Sequence, residues 1–265
     1  MGWQRPSGLS TIIWSGSAGD LGFLSQEPTS RRHIQGRGAM TPRAVLGFAG
    51  YLLIHPLVLF LAAGTIQWPI AWVYVAMSYA AVIGSRLLLL RRDPDLLRER
   101  ARSAHAPDAM EWDRPLALIV GALGPVIVQG VAGVDHRLHW PPALSLPSQL
   151  LSSVLVGAGY LLAVWAMLSN RYFSAVVRIQ KDRGHTVVTA GPYGWVRHPA
   201  YLGGLVSGLA LPAMLDAAWA WLPAILVALV LVVRTSLEDR ALQDGLPGYV
   251  EYTRKVRYRL LPLVW

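Results

Sequence analysis

Apolar residues in this chain gather into stretches near the length of a membrane crossing, about 20 residues for roughly 30 Å of hydrocarbon. The first runs over 44–66 and is broken only by His55. A second, over 68–85, follows a tight turn at 67–69 and leads into the apolar run 87–90; 115–134 and 150–168 supply the third and fourth. The stretch 200–233 carries one charge, Asp216. As a single helix it would reach about 51 Å, so it is read as a helical hairpin turning near 212–216. The pattern predicts an all-α, polytopic membrane protein of about six transmembrane helices. Its C-terminal hairpin lies between a polar loop, 169–199, and a polar tail, 234–265.

The polar positions test this reading. Of 24 lysines and arginines, all but Arg137 fall before the first span, after the second, after the fourth or after the sixth. Cytoplasmic loops collect such residues, so both termini and the two long polar loops are expected in the cytoplasm, in a bacterial inner (plasma) membrane. A soluble helical bundle gives no reason for the segregation. The net charge of +9 follows the topology, and no nucleic-acid partner is expected. Apolar types make up 54% of the 265 residues and charged types 15%, with mean hydropathy +0.39; soluble domains have about 25% charged residues. The absence of cysteine excludes disulfides, thiolate nucleophiles and cysteine-bound metal centres. Residues 1–39 are rich in Gly, Ser, Arg and Gln and lack a signal-peptide core, so they are expected to be a disordered extension. Met40, just before the first span, is an alternative start.

Candidate chemistry lies outside the spans. His55 is read as a polar residue bonded to a neighbouring helix. The loop runs from Gln180 through His185 and Gly191-Pro192-Tyr193 to Arg197-His198-Pro199-Ala200-Tyr201. Gly191-Pro192 favours a tight turn and Pro199 suits the first position of the fifth span. The amides and positive dipole end of that helix start suit a carboxylate or hydroxyl. Arg234 and Glu238, spaced i,i+4, share a helix face; the hairpin returns them to the side of His198 and Tyr201. This is a site for a small polar ligand at the membrane surface. His185, His198, Glu238 and Asp239 could in principle gather around a metal, but no HExxH or HxH spacing exists and no metal is expected.

At these residues the sequence resembles the isoprenylcysteine carboxyl methyltransferase family and the wider group of membrane phospholipid methyltransferases. The resemblance is carried by Gln180, His185-Thr186-Val187-Val188, Gly191-Pro192-Tyr193, Arg197-His198-Pro199-x-Tyr201-x-Gly203 and Arg234-x-x-x-Glu238-Asp239. Gly248-Tyr249, Tyr252 and 258–262 complete it. It implies S-adenosylmethionine as cofactor, held by Gln180, His185, Thr186, Val187, Val188, Tyr193, His198, Pro199, Ala200, Tyr201 and Glu238. Arg234 would face the methyl acceptor, a lipid-like or prenylated carboxylate. Many members have a second glutamate where this chain has Asp239. The implied organisation is an extension, 1–39, and a membrane methyltransferase domain, 40–265. Within it, 40–168 forms a four-helix membrane part and 169–265 the cofactor-binding part.

The same chemistry is compatible with a phospholipid amine as acceptor, which would need a general base that a carboxylate does not. An NADPH-dependent membrane reductase, and a transporter or assembly factor that binds no cofactor, are the readings from other classes.

Overall fold

A computed structural model describes residues 42–103 and 106–265. The expected extension 1–39 and the alternative start at Met40 lie outside the described residues. Helix α1 (Pro42–Ala63) is followed by a turn at Gly64 and by α2 (Pro69–Arg92), which opens on proline. Proline suits this position because its missing N–H would have no partner there. A short polar helix, α3 (Pro94–Ser103), follows. The third apolar stretch forms α4 (Asp113–Leu118), a π-helical turn (Ile119–Leu123) and α5 (Gly124–Leu138). The wide turn ends two residues before Pro125, which lacks an amide hydrogen and whose ring would clash with the carbonyl four residues back in a regular helix.

Helix α6 (Leu146–Ser169) is capped by Ser145, whose hydroxyl accepts the Ser148 amide. The predicted hairpin is present as α7 (Pro199–Met214) and α8 (Trp221–Gly245). They are joined through Asp216, in left-handed backbone, and a 3-10 turn at Ala218–Ala220. A last short helix, α9 (Tyr249–Lys255), lies in the polar tail.

Five helical segments among the described residues are long and apolar enough to cross a membrane. The fifth predicted span, α7, is apolar but has 16 residues, about 24 Å. Helix α8 instead continues to Gly245. Arg234, expected just beyond the last span, therefore lies inside α8.

Helices α6 and α7 meet at glycine: a Cβ on Gly159 would stand 2.5 Å from the Gly203 carbonyl oxygen. Small residues let membrane helices approach until their backbones touch. The apolar core joins α1, α2, α5, α6 and α7, with Leu59, Ala71, Ala132, Val156 and Met214 fully buried. His55 is tied to α5 as expected. Its Nδ1 is 3.1 Å from the Gln129 amide oxygen, and Gln129 donates to the Tyr74 hydroxyl at 2.7 Å.

A second apolar cluster holds the tail. Leu246, Tyr249, Tyr252 and Val256 pack with Ile179, Val187 and Leu242. The amides of Arg197 and His198 donate to the carbonyls of Tyr258 and Arg259, both at 2.9 Å. The tail is thus fixed beside the start of α7.

Candidate active site

Loop 170–198, the starts of α7 and α9 and the end of α8 surround one cavity of about 810 Å³, part of it open to solvent. Nine expected residues line it: His185, Thr186, Val187, Val188, Tyr193, His198, Ala200, Tyr201 and Glu238. Further aromatic wall comes from Tyr172, Phe173, Tyr249 and Tyr252.

The loop keeps its form through glycine and buried polar bonds. Gly191 is left-handed (φ 58°), and a Cβ there would lie 2.6 Å from the Ser169 hydroxyl. Tyr172 donates its hydroxyl to the Gly184 carbonyl at 2.8 Å. Tyr252 likewise donates to the Tyr193 carbonyl at 2.7 Å. Burial pushes the Tyr193, Tyr249 and Tyr252 phenols up, so they remain neutral.

Three expected residues stand outside the cavity wall, and each has a physical reason. Gln180 is fully buried, donating to the Tyr172 carbonyl and accepting from Arg183, both at 2.6 Å. It shapes the loop from behind. Pro199 is buried at the first position of α7. Arg234 is turned to Asp113 of α4, its Nε 2.7 Å from Oδ1 and its Nη2 3.1 Å from Oδ2. Nη2 also donates to the Ala175 carbonyl at 3.0 Å. The surface ion pair of Arg234 with Glu238 that their spacing allows is replaced by a buried pair between helices. Arg234 still approaches the site, with Cζ 5.3 Å from the Tyr201 ring centre.

Glu238 points elsewhere on α8 and accepts the Tyr201 hydroxyl at 2.5 Å. One carboxylate in an aromatic cavity suits ligand hydroxyls, ammonium or another cation. His198 stacks on Tyr201, with ring centres 5.7 Å apart and nearly parallel planes. Its Nε2 lies 3.3 Å from Asp239 Oδ1. With Nε2 donating there, a neutral ring leaves Nδ1 as an acceptor. His198 then suits a ligand donor better than a ligand carboxylate. The first-turn amides of α7, which have no intrahelical acceptor, remain for that carboxylate.

His185 takes the opposite tautomer. Its Nδ1 accepts the Gln180 amide at 3.3 Å, so a neutral ring carries its hydrogen on Nε2. Burial first, then the Arg183 and Arg178 guanidiniums, hold its pKa down at about 4. Because the folded value lies below the unfolded one of about 6.5, this contribution to loop stability is complete above that pH. It falls as pH drops toward 4. The expected NMR result is an imidazole that titrates near pH 4 and stays neutral at pH 6; titration at 6.5 would show a solvated ring.

Two residues that organise this region were not assigned a role from sequence. Asp239, fully buried, accepts from Arg197 Nε (2.8 Å) and Nη2 (3.1 Å), Gln243 (2.9 Å), Tyr249 (3.1 Å) and Arg259 (2.9 Å), in addition to contacting His198. It joins the end of α8 to the start of α7 and to the tail. Asp113, also fully buried, holds Arg234 and accepts the Val177 amide at 2.7 Å. The first lay within the motif as a position of uncertain use; nothing in the local pattern marks the second. No group of three or more His, Cys, Asp or Glu residues suited to a metal occurs among the described residues.

The chain is similar to several curated proteins over part of its length. The protein-S-isoprenylcysteine O-methyltransferase of Tribolium castaneum is 30% identical over 93 residues, 31% of this chain and 31% of the relative. The Delta(14)-sterol reductase TM7SF2 of Mus musculus is 30% identical over 140 residues, 48% of this chain and 34% of the relative. The cobalt-zinc-cadmium resistance protein CzcN of Cupriavidus metallidurans is 37% identical over 87 residues, 29% of this chain and 36% of the relative. The alignments thus span about a third of each of these curated relatives. Residues 151–244, from α6 through the cavity-lining loop to the end of α8, match the isoprenylcysteine carboxyl methyltransferase (ICMT) family.

Proposed function

We propose that this chain is a membrane methyltransferase that uses S-adenosylmethionine and transfers its methyl group to a carboxylate on a lipid-like or prenylated acceptor. The observation that carries the reading is the placement of Glu238, Tyr201 and His198 around one aromatic cavity, within the segment that matches the family. S-adenosylmethionine supplies a methyl group on a sulfonium, so the protein's task is to position donor and acceptor; alignment alone can supply roughly 7–11 kcal/mol.

Glu238 binds the ammonium or ribose hydroxyls, and the α7 start receives the carboxylate. The tyrosine rings face the cationic part. His185, neutral, donates from Nε2. Arg234, held by Asp113, keeps its guanidinium beside Tyr201 and orients an anionic acceptor. The site and both termini face the cytoplasm in this reading. Residues 169–265 form the cofactor-binding part and 40–168 the acceptor side.

The similarity to a sterol reductase supports a second reading, hydride transfer to an apolar substrate. Incubating the purified full chain with membrane lipids and prenylated-cysteine analogues decides between them. Label from isotopic S-adenosylmethionine is expected in an acceptor ester that base hydrolyses. Base-stable label would indicate an amine acceptor. Product formed only with NADPH would overturn the methyltransferase reading. Saturable binding of S-adenosylmethionine in detergent is expected to survive a chelator.

A further inference from the structure

Beyond the cavity, the tail presents an apolar surface that packing within the chain does not use. The amides of Arg259 and Leu260 both donate to the Trp265 carbonyl oxygen, at 2.9 and 3.0 Å, closing the segment 259–265 into a small loop. Leu260 points inward and is 1% exposed, whereas Leu261, Leu263 and Val264 are 40%, 88% and 75% exposed. Leu263 also has φ 68°, left-handed backbone that favours glycine. The loop therefore presents a leucine at its tip in a strained conformation.

Its depth follows from the helix it touches. The backbone pairs with Tyr258 and Arg259 involve Arg197 and His198, directly before α7. That apolar helix is about 24 Å long, less than the roughly 30 Å of hydrocarbon. The charged loop 170–198 that leads into it stays on the aqueous side, so its start, and the tail loop beside it, sit at the hydrocarbon edge. Arg254, Lys255 and Arg257 are exposed on the approach to the loop. The Arg259 guanidinium lies 4.9 Å from the Trp265 ring centre. Apolar side chains at an interface, flanked by cations, match an anionic leaflet.

We propose that 259–265 is an interfacial anchor in the leaflet on the cavity side of the protein. Leu261, Leu263 and Val264 enter between headgroups, and Arg254, Lys255 and Arg257 pair with anionic lipid phosphates. The anchor is connected to the cavity through Arg259, whose Nε donates to Asp239 at 2.9 Å, the carboxylate that also holds Arg197 and His198. Seating in lipid thereby steadies one wall of the cavity.

Because the chain has no cysteine, Leu263→Cys creates a unique labelling site at an exposed position. The nitroxide-labelled full chain is reconstituted in phosphatidylcholine vesicles and in phosphatidylcholine–phosphatidylglycerol vesicles, with Lys181→Cys as an exposed loop control. The expected result is several-fold less collision with an aqueous nickel chelate, and more with oxygen, at 263 than at 181. Protection should increase in the anionic vesicles. The added variant R254E/K255E/R257E is expected to remove that increase. Accessibility at 263 equal to the control in both vesicles would overturn the anchor. Protection that rises with protein-to-lipid ratio would assign the tip to a second copy and overturn it as well. Lipid-independent protection would overturn the cationic part. These readouts require neither cofactor nor acceptor, so failure of the proposed activity leaves them intact.

Discussion

Asp113→Ala is expected to destabilise the folded protein by about 3–5 kcal/mol, the range for removing one partner of a buried ion pair. The guanidinium of Arg234 would remain buried without the carboxylate that faces it at 2.7 Å. The Val177 amide would also lose its acceptor, loosening the loop that lines the cavity. Adding Arg234→Met removes the stranded charge and is expected to restore much of the stability, since buried pairs can often be replaced by apolar groups. Methyl transfer should not return with it. Unfolding in detergent micelles, followed with turnover on the same preparations, separates the two effects. Recovery of both in the double variant would make Arg234 a structural residue only. Arg234→Lys refines the result: Lys keeps the charge but lacks the planar fork. It is expected to leave cofactor affinity within a few-fold while lowering kcat/KM for the acceptor by about tenfold or more.

Asp239→Ala should reach further, because that carboxylate is shared by Arg197, Arg259, His198, Gln243 and Tyr249. Its loss leaves two guanidiniums with reduced pairing and loosens the tail, which then holds to the start of α7 mainly through the backbone bonds of Arg197 and His198. S-adenosylmethionine affinity is expected to fall by about 100-fold or more, or about 2.7 kcal/mol, with faster hydrogen exchange over 249–265. Asp239→Asn preserves the shape and one acceptor oxygen but directs an NH₂ group among donors, so an intermediate loss is expected. Wild-type affinity in the alanine variant would separate the tail from cofactor binding. Glu238→Gln provides contrast: a cofactor defect with no change in tail exchange.

The membrane architecture was legible because hydrocarbon imposes one requirement on every span, and the apolar runs meet it over 20 or so residues. The α6–loop–α7–α8 region was legible because its His, Tyr, Gly and Pro residues have fixed spacing in the loop. What was hidden is pairing across long separations. Arg234 and Asp113 are 121 positions apart, and an isolated acid at the start of a span carries no local mark. Adjacent Glu238 and Asp239 look equivalent in sequence. Their positions on successive faces of α8 send one to Tyr201 and the other to the packed tail. Gln180 had the right neighbourhood but the wrong side of the loop, since loop spacing does not show which side chains support the backbone from behind. Helices α3 and α9 are short and polar, and hydropathy does not register them.

The widened turn at Ile119–Leu123 gives this segment a place where its length can change by one residue. A π-helical turn holds one residue more than an α-helical turn, so deleting one residue there would close it to regular helix and leave α4 and α5 in nearly the same rotational relation. The same deletion within the regular part of α4 or α5 would turn one face against the other by about 100°, and Asp113 would face away from Arg234 while Gln129 kept its partners, or the reverse. The irregular connection after α5 can likewise absorb a change in length without turning a helix face. Insertions and deletions in divergent copies of this chain should therefore collect at 119–123 and 139–145 and be rare in the regular turns of α4 and α5.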